Sequence, residues 1–374
     1  MKAFIKHNFP RLYLYLVQIR DNNLFKKLIN KLLRFNLNKN IHGVKIVKNE
    51  KGFIIDATTS NFSSISLRPK NSSDIIVKNE EQNSDPDTAI IIQGSLYNLE
   101  NFVLETIKTY NKIFPSSDIF LSVWEDELKK NFINKLENKA NIIINKKPNN
   151  YKFNVDLQIL STAKAIKKIK SLGKRYCLKT RTDCRIYKDN SLSFLKFLLK
   201  TFPSSDQKKT KERIISCSID TRKYRVYGLS DILLFGNIND LEKYFIEEYY
   251  ENSLKKYNFG NHPCVINETA VVNEIFLCSR YLYNINEKLN WDLPDWWKMV
   301  SKYFCVVNPY FLDFFWYKYH WQFEQRFITN YTSDLDFAVE FSDWLKLYSN
   351  PESKFSSKFQ EKWQIENGQI VSKK

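Results

Sequence analysis

Glycine is scarce, with 8 in 374 residues. That excludes collagen-like and glycine-rich repeat architectures. The two glycine-built phosphate motifs are also missing. No G-x-G-x-x-G follows a first strand and no G-x-x-x-x-G-K-[ST] occurs anywhere. The chain is therefore neither a standard dinucleotide-binding fold nor a P-loop enzyme. None of its six cysteines forms a C-x-x-C pair, which argues against a zinc ribbon or a redox motif. Cys177, Cys184, Cys217, Cys264, Cys278 and Cys305 sit in apolar runs or at strand ends. Reduced core thiols behave this way, which favours a reducing cytoplasm. The four histidines, His7, His42, His262 and His320, have no metal-ligand spacing, and His320 between Tyr319 and Trp321 reads as a packed side chain. Long apolar runs are absent too. The run 12–17 is too short to span a bilayer and is bracketed by Arg11 and Arg20. No small-residue cleavage site follows it, so no signal peptide is expected.

What is present is a large potential core and a strong positive charge. Hydrophobic residues make up 43%, aromatics 15%, and the formal net charge is +17. The charge suits an anionic membrane surface or a nucleotide-sugar. No RNA-binding aromatic signature, zinc finger or helix-turn-helix accompanies it, so no nucleic-acid partner is expected.

Four segments follow from the pattern. Residues 1–40 are basic and amphipathic, with Leu24, Phe25, Leu28, Ile29, Leu32 and Leu33 at helical spacing among Lys26, Lys27, Lys31 and Arg34. Such a helix either lies on a membrane surface or docks on the main domain with its lysines in water. Residues 41–86 form a small β-rich extension with a hairpin around Asn49-Glu50-Lys51, then a polar linker. Residues 87–325 alternate strand and helix. Strands are expected at 89–92, 118–124, 141–145 and 176–178, with helices at 101–114, 127–138 and 156–172, the last closed by Gly173. Further strands are expected within 213–219 and 224–235, and helices at 191–201, 240–250 and from about 267 to 282. The aromatic stretch 303–323 reads as buried helix and loop. Residues 326–374 are expected to hold a helix over 333–348 and a polar tail. Repeated β-α units indicate an α/β, doubly wound sheet of nucleotide-binding type.

The chemistry concentrates in one stretch, 174–187. Its strand, Tyr176-Cys177-Leu178, runs into Lys179, Arg181, Asp183 and Arg185. In open α/β sheets ligands bind beyond the carboxyl ends of the strands. The bland alternative is a salt-bridged strand end. A sugar-nucleotide transferase must neutralise a diphosphate leaving group, by a divalent cation (Mn or Mg) or by Lys and Arg. Such enzymes often hold the metal with D-x-D. Asp85-Pro86-Asp87 precedes the first strand and Asp334-Leu335-Asp336 opens a late helix, so neither suits that role. Asp183 stands alone at the right place, so arginines could share the neutralisation.

These residues carry a resemblance. The chain resembles the WavE lipopolysaccharide synthesis family, bacterial proteins similar to GT-A-type glycosyltransferases. Lys179-Thr180-Arg181-Thr182-Asp183 with Arg185 is similar to the family's K-T-R-x-D-x-R. Ile91-Ile92-Gln93-Gly94 resembles its first strand and Q-G-P turn, with Ser95 where Pro is usual. Leu121-Ser122 with Trp124-Glu125 resembles S-T-W-E, with Val123 replacing Thr. Asn154, Gln158 and Ser161 fit its N-x-Q-x-x-S. Ser230-Asp231 with Phe235-Gly236 fits D-W-x-x-F-G, with Ile232 replacing Trp. Glu268 falls where the family has a helix-opening Glu.

The resemblance implies a GT-A-like mixed sheet with an N-terminal helical and β extension and an aromatic-rich C-terminal helical region. It implies a glycosyltransferase that moves a sugar from a nucleotide-sugar donor to a glycan or lipid-linked acceptor in lipopolysaccharide or capsule synthesis. Such a protein would be cytoplasmic and peripheral on the inner membrane face. Gln93, Gly94, Trp124, Glu125, Lys179, Arg181, Asp183 and Arg185 would bind the donor, with Asp183 holding a metal or the donor sugar. Asp231 or Glu268 would be the base that deprotonates the acceptor. The rival expectation is a degenerate, non-catalytic domain that binds polysaccharide or assembly partners.

Overall fold

The structure is a computed structural model. It describes residues 45–49, 52–56, 68–77, 85–149, 151, 153–257, 272–319, 338–355, 363–366 and 369–372. Contacts divide the chain into two units, Met1–Lys70 and Asn71–Lys374. The first holds an antiparallel hairpin, β1 (Lys45–Asn49) with β2 (Gly52–Asp56), in the register Lys45 opposite Asp56. The amphipathic stretch before it lies outside the described residues. The second unit includes the 3-10 turn Ser72–Asp74, which Ser72 ties to Glu105 through its amide and its hydroxyl at 2.7 and 2.9 Å.

The second unit is built on a seven-stranded mixed sheet. β3 (Thr88–Gln93) is buried along its whole length, as a strand covered on both faces must be. α1 (Glu100–Ile113) turns Val103, Leu104, Ile107 and Tyr110 into the core. β4 (Asp118–Trp124), α2 (Lys130–Leu136), β5 (Asn141–Asn145) and α3 (Phe153–Ser171) continue the β-α alternation. α3 stops at Gly173, whose φ of +75° only glycine adopts cheaply after a helix. β6 (Tyr176–Arg181) follows, then the short β7 (Cys184–Ile186) and α4 (Ser191–Thr201). β8 (Ile214–Cys217), β9 (Leu234–Asn237), α5 (Ile238–Tyr244), α6 (Tyr250–Lys256), α7 (Asn273–Asn284) and α8 (Leu293–Tyr303) come next. Asp292 caps α8 by accepting from the Asp295 amide at 2.7 Å.

β10 (Phe304–Val307) and β11 (Phe314–Trp316) correct the helix-and-loop expectation for 303–323. α9 (Phe341–Ser349) packs on α8 and β10. A last hairpin joins β12 (Trp363–Glu366) to β13 (Gln369–Ser372). Residues 75–77, within the extension expected to be β-rich, are irregular backbone.

The strand order is β10-β8-β9-β6-β3-β4-β5. β9 is antiparallel to both neighbours, β6 and β8; the other pairs in the sheet are parallel. Six strands therefore end at one edge, and β9 begins there. That edge gathers Gln93, Arg181 and the segment leading into Leu234. β7 and β11 make a separate antiparallel ribbon, with Trp316 opposite Cys184. The ribbon brings a distant part of the chain back to Asp183.

Candidate functional site at the carboxyl edge of the sheet

Arg181 is the last residue of β6, opposite Gln93 of β3. The next peptide turns, and the Thr182 amide donates to the Gln93 carbonyl at 3.1 Å. Gly94 sits beside that turn with φ +138°, and a Cβ there would lie 2.7 Å from the Thr182 hydroxyl oxygen. Its glycine is thus required by the approach of Thr182, where the sequence suggested the approach of a ligand. The Thr182 hydroxyl itself donates to the Ser95 carbonyl at 2.7 Å.

Asp183 is 6% exposed. Its Oδ1 accepts from Arg181 Nε at 2.8 Å and its Oδ2 from Arg181 Nη2 at 3.0 Å, a two-pronged pair. Oδ2 also accepts from the Trp316 indole at 2.9 Å. Burial alone would raise the Asp183 pKa. The Arg181 charge and these hydrogen bonds outweigh it and hold the carboxyl below its ordinary value. Arg181 in turn lies 5.6 Å from the centre of the Trp316 ring. Its side chain stays 32% exposed. Trp316 was missed in the sequence because it stands 133 residues from Asp183.

The other two cations of the motif turn inward. Lys179 is fully buried, and its Nζ donates to the Asp231 carbonyl. Burial lowers its pKa to about 8, against the pull of the Asp231 charge. Arg185 is 1% exposed. It donates to the Thr106 hydroxyl and the Phe102 carbonyl, both at 2.9 Å, and to the Tyr187 hydroxyl at 3.2 Å. Its guanidinium also covers the Phe102 ring at 4.4 Å. Both side chains are thus buried and bonded inside the domain, whereas the sequence suggested that they face the donor. Of the three cations, Arg181 keeps access to solvent.

Asp231 precedes β9 and is 3% exposed. Its carboxylate has no hydrogen-bond donor among the described residues, yet its charge is felt by Lys179, Arg181, Tyr244 and Glu274. Glu274, partly buried in the first turn of α7, was not singled out in the sequence. Burial raises its pKa to about 7, helped by the charges of Asp231 and Asp220 and opposed by Arg225. Tyr244, buried at the end of α5, has a hydroxyl without a hydrogen-bond partner among the described residues. Glu268 lies outside the described residues. Glu274 lies within the helix expected from about 267 to 282, whose first residues lie outside the described residues.

Trp124 and Glu125 sit one strand further out. Trp124 is the last residue of β4, 3% exposed, with Lys147 Nζ 6.0 Å from its ring. Glu125 opens a 3-10 turn, 58% exposed, 3.9 Å from Lys146. The neighbouring Glu127 accepts from the Leu96 amide at 2.6 Å and so fixes the loop after β3.

A divalent cation needs several convergent oxygen donors. Among the described residues no three His, Cys, Asp or Glu side chains converge in that way. Both oxygens of Asp183 are taken by Arg181 and Trp316. The described donor set does not fit such a site. Asp85 and Asp87, set aside on sequence grounds, both bind Lys196 at the opposite end of β3. Asp334 and Asp336 lie outside the described residues. Five of the six cysteines are described, and all five are buried free thiols. Among the described residues no helix is long and apolar enough to cross a membrane.

A comparison with curated proteins finds no match. Among solved structures, an active-site mutant of LgtC is similar at 10% identity and a TM-score of 0.32, covering 59% of this chain and 73% of that one. The family model for WavE lipopolysaccharide synthesis matches residues 88–370, from the first strand of the sheet to the last hairpin. The match spans most of the chain and bears out the resemblance carried by the Lys179–Asp183 motif. The chain belongs to the WavE lipopolysaccharide synthesis family.

Proposed function

We propose that the protein is a glycosyltransferase of bacterial surface-polysaccharide synthesis. It takes a sugar from a nucleotide-sugar donor and passes it to a glycan or lipid-linked acceptor. Family membership supports the pathway. The observation that carries the reaction is the pairing, at one sheet edge, of a solvent-reaching Arg181 with an unpartnered, buried Asp231. A leaving diphosphate needs the first and an acceptor hydroxyl needs the second.

The mixed sheet with one antiparallel strand beside β6 supports a GT-A-like reading of the domain. Gln93 and Gly94 line the donor side, and Trp124 and Glu125 border it. Asp231 acts as base, with Glu274 holding a proton nearby. The protein works at the cytoplasmic face of the inner membrane, where its basic amino-terminal segment meets anionic lipid.

The engagement of Asp183 by Arg181 and Trp316 favours one rival, a non-catalytic binding domain. A thermal-shift screen with UDP, GDP, CMP and dTDP tests the donor site, because a ligand of the folded state raises the melting temperature. One nucleotide is expected to give a clear rise. No rise with any of them contradicts the reading.

A further inference from the structure

We propose that Arg181, held in place by Asp183 and Trp316, neutralises the donor diphosphate in the role usually filled by a divalent cation. This rests on the donor reading above and goes beyond it. The lone acid of the motif is a positioning residue for an arginine.

Four observations support it. The Arg181 guanidinium uses Nε and Nη2 on Asp183. Its Nη1 edge has no partner among the described residues, on a side chain that is a third exposed. Trp316 fixes the arrangement from the other side: its ring lies under the guanidinium and its indole N–H binds the same carboxylate. The remaining fork of a planar guanidinium suits phosphate oxygens, and pinning it beforehand lowers the entropy lost on binding. Finally, the neighbouring acids do not assemble into a cation site among the described residues. Asp183 cannot both hold Arg181 with its two oxygens and serve as an uncommitted anionic ligand. Arg181 ends β6 at the carboxyl edge of the sheet, the side on which open α/β sheets bind their ligands.

The test is titration calorimetry of the full chain with UDP, GDP and dTDP, in manganese and in EDTA. One nucleotide is expected to bind with affinities that agree within about twofold in the two conditions. Arg181→Ala is expected to weaken it roughly 10- to 100-fold, the range for a charged hydrogen bond. Arg181→Lys, which keeps charge but loses the fork, should recover only part. Asp183→Asn should weaken binding in the Arg181 background and have almost no further effect in the Arg181→Ala background, because its action passes through Arg181. A purely structural Asp183 would give additive losses. Binding that vanishes in EDTA overturns the proposal and leaves the transferase reading standing. Binding by none of the nucleotides, in either condition, overturns both. The metal comparison uses the unaltered protein, so it decides the matter even where a variant fails to fold.

Discussion

Two banks at the carboxyl edge of the sheet, the end of β6 and the entry to β9, are built on opposite principles. On the β6 bank, every charge the motif supplies is met by a neighbour: Asp183 by Arg181 and Trp316, Lys179 by a carbonyl, Arg185 by α1. On the bank formed by the entry to β9 and the start of α7, Asp231 lacks a donor among the described residues, and Glu274 is pushed to about 7. A satisfied polar network rigidifies. A buried carboxylate without a hydrogen-bond donor costs stability. The contrast teaches that the motif most visible in the sequence is the frame, with Arg181 its outward-facing member. The acids with fewer partners, Asp231 and Glu274, stand before β9 and in the first turn of α7.

The largest test of that contrast is Asp231→Asn. Transfer should fall roughly 10²- to 10⁴-fold, the range for loss of a general base, while the melting temperature holds or rises. Initial rates and thermal unfolding check both halves; a variant with full activity and a lower melting temperature would reverse the assignment. Arg185→Ala should do the opposite. Removing a buried guanidinium with three acceptors among the described residues is expected to destabilise by about 2–4 kcal/mol, while kcat measured on the folded fraction stays within a few-fold. Urea unfolding gives the first number and active-site titration corrects the second.

Two carboxylates outside the frame sharpen the comparison through pH. Glu287 accepts from Lys209 at 2.7 Å, from Lys302 at 2.9 Å and from Tyr303. Burial opposes its ionisation, but these donors hold its pKa at about 2, against 4.5 when unperturbed. Its stabilisation is full above pH 4.5 and disappears as pH falls toward 2. Glu287→Gln should therefore lower stability by about 1–3 kcal/mol at pH 7, with the difference closing in acid.

Glu274 has the reverse sign. The folded protein keeps its proton up to about pH 7, whereas the unfolded chain releases it near 4.5. That contribution to stability is full below pH 4.5 and is lost as pH rises through 7. Glu274→Gln should match the wild type at pH 4 and exceed it by about 1–2 kcal/mol at pH 8. Chemical unfolding at the two pH values reads both. A Glu274→Gln protein that is less stable at pH 8 would show that Glu274 is partnered after all.

The first half of the domain was legible in the sequence. The runs Ala89–Ile92 and Ile119–Val123 are continuous apolar strands between helices of clear 3.6 periodicity, which is how a buried parallel sheet announces itself. Gly173 marked the end of α3 and the start of β6 correctly. The second half was less legible. An antiparallel strand such as Leu234–Asn237, inserted between parallel neighbours, has no pattern to distinguish it from a parallel one. Phe304–Val307 was hidden by the aromatic residues around it, since a short apolar run reads equally as buried helix or strand.

At the site, the sequence located the charged strand end but not the fate of each charge. Lys179 and Arg181 lie on β6 and Arg185 on β7, with the turn at Thr182 and Asp183 between the two strands. That turn depends on Gln93 and Gly94, some ninety residues earlier. Trp316 arrives only because β11 pairs with β7. Such long-range pairings are set by tertiary packing, and local spacing carries no trace of them.

The central claim is transfer of a sugar from a nucleotide donor at this edge of the sheet. It is tested most directly by mass-spectrometric detection of product and free nucleotide from a panel of nucleotide-sugars with a lipopolysaccharide-core acceptor. The wild type, Arg181→Ala and Asp231→Asn should be run side by side. The account predicts turnover of one donor class by the wild type, with both variants reduced at least tenfold. Turnover that is equal in all three proteins would move the chemistry elsewhere, and no turnover of any donor would contradict the account.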